Sequence, residues 1–103
     1  MFVHPGVQET FGLVTLEAQA CGTPVIGIRG SYMDRIIHFP QTHWADANTP
    51  EELAMAISGM SRADLTGWGR QASEDVAARY SWDVVFSRLF DLYREVIANY
   101  RLP

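Results

Sequence analysis

Apolar residues open this chain in short runs and later recur at helical spacing. Met1-Phe2-Val3-His4 reads as a short apolar strand, which Pro5-Gly6 ends. Val7 to Phe11 is a loop. From about Gly12 to Cys21 a helix is expected, because Leu13, Leu16 and Ala20, with Val14, Ala18 and Cys21 beside them, form a broad apolar stripe. Gly22 suits the left-handed position that closes a helix, and Pro24 prevents continuation. The run Val25-Ile26-Gly27-Ile28 is too short for a helix and reads as a buried parallel strand. Strand, helix and strand with short connections imply a right-handed crossover.

Downstream, Ser31 caps a short helix through Ile37, with Asp34 in its first turn. The stretch His38 to Ala47 offers only a weak strand around Thr42–Ala45. Thr49-Pro50-Glu51-Glu52 is a stronger signal: a capping Thr, Pro at the first helical position, and Glu three residues after the cap. That helix is expected to turn Leu53, Ala56, Ile57 and Met60 inward. Ser61 with Asp64 starts another, to about Arg79, with Leu65, Trp68, Ala72 and Val76 as its stripe. Gly67 and Gly69 weaken it by roughly 1 kcal/mol each relative to Ala. Ser81 caps the last helix, with Tyr80 and Val85 placed as a hydrophobic staple. There Trp82, Val85, Phe86, Leu89, Tyr93, Val96, Ile97 and Tyr100 recur at steps of three and four, and Phe90 and Leu92 widen the apolar surface. The expected class is α/β: a partial Rossmann-like unit, with a short parallel sheet, several helices and a long C-terminal helix. Residues 1–47 and 48–103 are its strand-bearing and helical portions.

Composition narrows the function classes. A chain of 103 residues makes one small domain, and 48% hydrophobic residues make it globular. The net charge of −4 argues against nucleic acid as a partner. No apolar run approaches the ~18 residues of a membrane span. Cys21, the single cysteine, has no internal disulfide partner and reads as a small buried hydrophobe in a reduced, cytoplasmic setting. A chain that opens inside a strand reads as the C-terminal part of a larger protein. A sheet of three short strands would also leave an exposed edge.

The candidate chemistry lies between Glu9 and Glu17. They flank Thr10-Phe11-Gly12-Leu13-Val14-Thr15-Leu16, at the junction of a strand's carboxyl end with a helix N-terminus. Backbone amides at Phe11, Gly12 and Leu13 carry partial positive charge suited to a phosphate or a sugar hydroxyl. Gly12 lets a ligand approach the backbone closely. Carboxylates are acceptors only, so vicinal hydroxyl pairs are natural partners for Glu9 and for Glu17, whose side chain leans back toward the helix start. Open α/β sheets bind ligands at this end. Each glutamate alone has an ordinary explanation, as a dipole partner or a solvated helix residue. The joint pattern is the specific signal.

With Glu17-Ala18-Gln19-Ala20-Cys21-Gly22-Thr23-Pro24-Val25-Ile26 following directly, the block resembles the donor-sugar site of retaining, nucleotide-sugar-dependent glycosyltransferases of the GT-B fold, the group-1 (family-four) class. The likeness is strong over residues 2–28 and looser over 49–99. It implies a GT-B C-terminal unit that binds a nucleotide-sugar donor for transfer of a hexose with retention. In that frame Glu9 is the catalytic carboxylate and holds the sugar, Glu17 holds the ribose, and the amides of Phe11, Gly12 and Leu13 address the sugar or diphosphate. The class is metal-independent and uses no cofactor besides the donor substrate. His4, His38 and His43 share no metal-site spacing with Asp, Glu or Cys.

The sequence departs from the family at Gly30-Ser31-Tyr32-Met33-Asp34, where Gly-Gly-x-Pro-Glu is usual, and at Thr42-His43-Trp44-Ala45. The family's diphosphate-binding basic pair, its base-binding loop and its N-terminal acceptor domain have no counterpart here. The 103 residues alone are therefore expected to be inactive. The complete enzyme would be cytoplasmic or peripheral to a membrane.

Other readings stay in view. His4 packs on Pro5 or meets a ligand; Arg29 is solvated, helix-paired or phosphate-directed. A non-catalytic assembly module would use the sheet edge or the last helix for self-association. Phosphorylases dependent on pyridoxal phosphate need a lysine, and the chain has none. An epimerase of the same architecture fits the glutamate spacing less well.

Overall fold

The computed structural model describes residues 1–8, 11–31, 33–37 and 44–100. Its elements run β1 (Phe2–Val3), α1 (Leu13–Ala20), β2 (Val25–Ile26), α2 (Met33–Ile36), α3 (Pro50–Met60), α4 (Leu65–Tyr80) and α5 (Trp82–Asn99). The strands pair in parallel, Phe2 opposite Val25 and Val3 opposite Ile26, so α1 is the crossover of a β–α–β unit. Ile28 adds a parallel bridge to Ala45. That bridge is the described remnant of the strand expected around Thr42–Ala45; residues 42 and 43 lie outside the described residues. The α/β class is as expected.

The sheet is buried on both faces. Strand side chains alternate, so Val25 and Ile26 point opposite ways into separate clusters. Val25 joins Leu16, Met33, Ile36, Ile37 and Val76. Ile26 joins Ile28, Ala45, Ala56 and Met60, with Leu65 and Trp68 at the margin. Helix α4 thus serves both layers, Leu65 and Trp68 on one side and Val76 on the other. Full burial of a side chain such as Ile26 contributes about 1.5–3 kcal/mol.

The capping signals form as their chemistry requires. Thr49 Oγ1 accepts from the Glu52 amide at 3.2 Å, with Pro50 opening α3. Asp64 accepts from the Gly67 amide at 3.0 Å, and Ser81 from the Val84 amide at 3.4 Å. Ser31 Oγ accepts from the Met33 amide, and Asp34 takes the Gly30 amide at 2.9 Å. Helix α1 closes with Gly22 at φ 79°. The Gly22 amide reaches the Gln19 carbonyl and the Thr23 amide the Ala18 carbonyl, both at 2.9 Å. This pair of bonds is the Schellman closure that a C-terminal glycine supports.

Three expectations about side-chain direction are corrected. Helix α1 turns Thr15, Leu16 and Gln19 inward, while Leu13 and Val14 are 63% and 53% exposed. The polar pair wins because both members find buried partners. Thr15 Oγ1 donates to Met33 Sδ at 3.1 Å, and Gln19 Nε2 donates to the Ile36 carbonyl at 3.2 Å, tying α1 to the last turn of α2. Cys21 is exposed, since it caps the helix just before the chain turns back. Ile57 is exposed as well, because α3 buries the narrow Ala56–Met60 edge.

Helix α5 stands apart. None of its residues is buried, and the chain extends 60 × 27 × 18 Å. Its radius of gyration of 17.1 Å exceeds the about 13 Å of a compact chain of this length. The excess is α5 projecting from the body. Among the described residues no helix is long and apolar enough to cross a membrane.

Candidate functional site

The site grows from the end of β1. His4, the next residue, donates its amide to the Ile26 carbonyl at 2.9 Å, and its Nδ1 accepts from the Gly6 amide at 3.2 Å. The ring thereby closes the Pro5-Gly6 turn that lifts the chain off the sheet. Glu9 and Thr10 lie outside the described residues. The chain is described again at Phe11, which presents a ring at the surface, and then at Gly12.

Gly12 occupies the N-cap position of α1 at φ 92°, left-handed backbone that glycine adopts without strain. Its carbonyl accepts the first helical bond, from the Leu16 amide at 3.2 Å. Among the described residues no side chain caps this end. The first-turn amides thus point toward the site with the partial positive charge of a helix N-terminus. Met33 lies directly beneath: a Cβ on Gly12 would come within 2.6 Å of its terminal methyl.

Leu13 and Glu17 are four residues apart, so they share one face of α1, and both are exposed there. Glu17 therefore lies on an open face of the helix, one turn from its start. The structure brings Phe11, Gly12, Leu13 and Glu17 to one end of the molecule, beyond the carboxyl end of β1. Arg29, which follows the Ile28 bridge, pairs through Nε with Asp46 Oδ1 at 2.8 Å on the surface. Among the described residues no group of His, Cys, Asp or Glu is placed to hold a metal ion.

An open cleft of about 700 Å³ lies elsewhere, at the amino ends of the strands. Ala20, Cys21, Thr23, Pro24, Arg70 and Glu74 are among its walls. It marks the other end of α1, where α4 packs so closely that a Cβ on Gly69 would overlap the Gly22 carbonyl oxygen. Ser73 Oγ adds a bond to the Ala20 carbonyl at 2.9 Å. None of the predicted site residues that are described lines this cleft.

Sequence reasoning missed two supports of the site. Met33, held by Thr15, underlies Gly12. Tyr80, at the end of α4, sets its ring edge-on to Phe11, with centroids 6.2 Å apart and planes at 83°. The i, i+4 pair Thr15 and Gln19 beside Leu16 was the available signal for the first. No local signal links Phe11 to Tyr80, which are far apart in sequence.

Comparison with known proteins agrees with this geometry. The family model for glycosyl transferases group 1 matches residues 1–64. An uncharacterized glycosyltransferase of Methanocaldococcus jannaschii is 33% identical over 99 residues, covering 89% of this chain and 24% of that protein. A D-inositol 3-phosphate glycosyltransferase of Catenulispora acidiphila is 34% identical, covering 96% of this chain and 24% of the relative. One of Saccharomonospora viridis is 36% identical, covering 94% and 23%. The chain thus spans about a quarter of the length of these relatives. No solved structure matches it. A family model that matches residues 1–64, over a parallel β–α–β unit with a glycine-started helix, places this chain in the group 1 glycosyl transferases.

Proposed function

We propose that this chain is the donor-binding portion of a glycosyltransferase that moves a hexose from a nucleotide diphosphate sugar to an acceptor with retention. The observation that carries this reading is the start of α1: left-handed Gly12, no side-chain cap among the described residues, and Glu17 exposed on the same face. Amides at a helix start favour anionic and hydroxyl oxygens, and a carboxylate one turn on accepts from a vicinal diol. In this reading Glu17 takes the ribose hydroxyls, and the Phe11, Gly12 and Leu13 amides take the sugar or diphosphate. Glu9 holds the sugar and is the catalytic carboxylate. The donor is the substrate, and no metal or further cofactor is assigned a role. Rate enhancement would come mainly from electrostatic stabilisation of the departing diphosphate. The acceptor half belongs to a separate domain, so the 103 residues alone bind without turning over.

The test is calorimetric titration with UDP-glucose, UDP-N-acetylglucosamine and GDP-mannose as probes, on the wild-type chain and on Glu17→Ala. Loss of a hydrogen bond to a charged group weakens binding by about 1.5–3 kcal/mol, roughly 10- to 150-fold. Circular dichroism should be unchanged, because Glu17 is exposed. Equal donor affinity in the two proteins would remove the ribose assignment, and no heat with any probe would remove the donor reading.

A second reading, a non-catalytic assembly module, is favoured by one observation: α5 buries none of its residues. Sedimentation of the isolated chain separates the two. Self-association without donor binding supports the module.

A further inference from the structure

Helix α1 starts without a side-chain cap among the described residues, yet its N-cap residue Gly12 holds a defined left-handed conformation. Two side chains from other helices pack against this end. Met33 of α2 fills the space under Gly12. Tyr80 of α4 meets the Phe11 ring edge-to-face at 6.2 Å. Tyr80 is itself anchored, packed against the cluster of Leu16, Val25, Met33, Ile36, Ile37 and Val76. Phe11, by contrast, is 39% exposed.

We propose that Tyr80 is a positioning residue for donor binding, an inference that rests on the donor-site reading above. The Tyr80 ring fixes the Phe11 ring. Phe11 in turn fixes the backbone from its own amide through Gly12 to Leu13, the donors offered to the nucleotide sugar. Tyr80 acts through Phe11 rather than by contact with ligand. Its effect is on the population of the binding-ready turn, and apparent affinity falls in proportion to that population. The loss of an edge-to-face aromatic pair corresponds to roughly a 2- to 10-fold change.

The experiment uses the full 103-residue chain labelled with ¹⁵N, as wild type, Tyr80→Leu, Phe11→Leu and the double variant. Two quantities are read: the ligand-free amide resonances of Gly12 and Leu13, and the affinity for UDP-glucose or whichever sugar-nucleotide probe binds most tightly. Tyr80→Leu is expected to shift and broaden both resonances and to weaken binding roughly 2- to 10-fold. In the Phe11→Leu background the same substitution should change affinity less than about 2-fold. A purely structural role would weaken binding equally in both backgrounds, and that result overturns the proposal. Unmoved resonances in Tyr80→Leu, with wild type still binding donor, also overturn it while leaving the donor reading intact. Absence of donor binding by wild type removes the donor reading, and this inference with it. Should Tyr80→Leu not fold, Phe11→Leu, at a surface ring, carries the test. It must by itself displace the Gly12 and Leu13 resonances beyond the change of ring current and weaken donor binding, and no change in either overturns the proposal.

Discussion

Gly69 shows how a residue's meaning depends on what it touches. Along the sequence it is a helix-weakening glycine, about 1 kcal/mol worse than Ala. In the fold it lets α4 approach α1 until a Cβ would overlap the Gly22 carbonyl oxygen. Backbone cannot move aside as a flexible side chain can, so Gly69→Ala should cost about 1–3 kcal/mol despite its better helix propensity. Urea unfolding followed by circular dichroism checks this. A midpoint at or above wild type would mean the two helices are free to separate. Gly30, left-handed at φ 82° but with nothing near its missing Cβ, is the control: Ala there pays only the backbone term, about 1–2 kcal/mol. Glu17 was legible as a candidate from its place in the Glu9–Ile26 run. Tyr80 was not, because the contact that gives it a role joins distant parts of the chain.

At the level of elements, caps were legible and inward faces less so. Thr49 and Ser81 cap where their side chains predict, because a cap is a bond across three residues and needs nothing distant; α4, expected from Ser61, starts instead at Asp64, and Ser61 closes α3. Thr49→Ala should therefore cost about 1 kcal/mol, seen as a lower thermal midpoint with unchanged folded-state dichroism. An unchanged midpoint would show that Pro50 and the acidic first turn suffice to start α3. Helix α1 is the counter-example. Its apolar residues Leu13, Val14 and Cys21 face out, while Thr15 and Gln19 are buried at 0% and 2% exposure. A stripe of apolar residues wide enough to cover several faces does not say which face turns inward. The hydrogen bonds to Met33 and Ile36 decide it, and those partners belong to another helix.

For the molecule as a whole, the dominant feature is a body of two packed layers with a long apolar helix projecting from it. Along α5 the rings of Trp82, Phe86 and Phe90 stack in series, at centroid distances of 5.4 and 6.1 Å. Phe90 is half exposed and touches no buried cluster, so Phe90→Glu should change unfolding free energy by about 1 kcal/mol or less, chiefly the lost ring pairs. The same substitution should lower the binding of a hydrophobic dye such as ANS. A large loss of stability would mean that α5 packs on the body more firmly than its exposure indicates. The surplus of apolar residues on this helix was legible from its spacing, but its projection was not, since spacing gives the width of a stripe and not its cover.

Sequence alone determined the element order, the caps of α3 and α5, the glycine that closes α1 and the Glu9–Ile26 block that marks the family. These rest on bonds between residues a few positions apart, or on a contiguous pattern. Tertiary structure decided which face of α1 is buried, that Gly69 is a contact rather than a defect, that Cys21 is exposed, and that Tyr80 and Met33 flank the start of α1. Each of those outcomes depends on a partner brought close only by folding, where a bond satisfied or a van der Waals radius exceeded outweighs local preference.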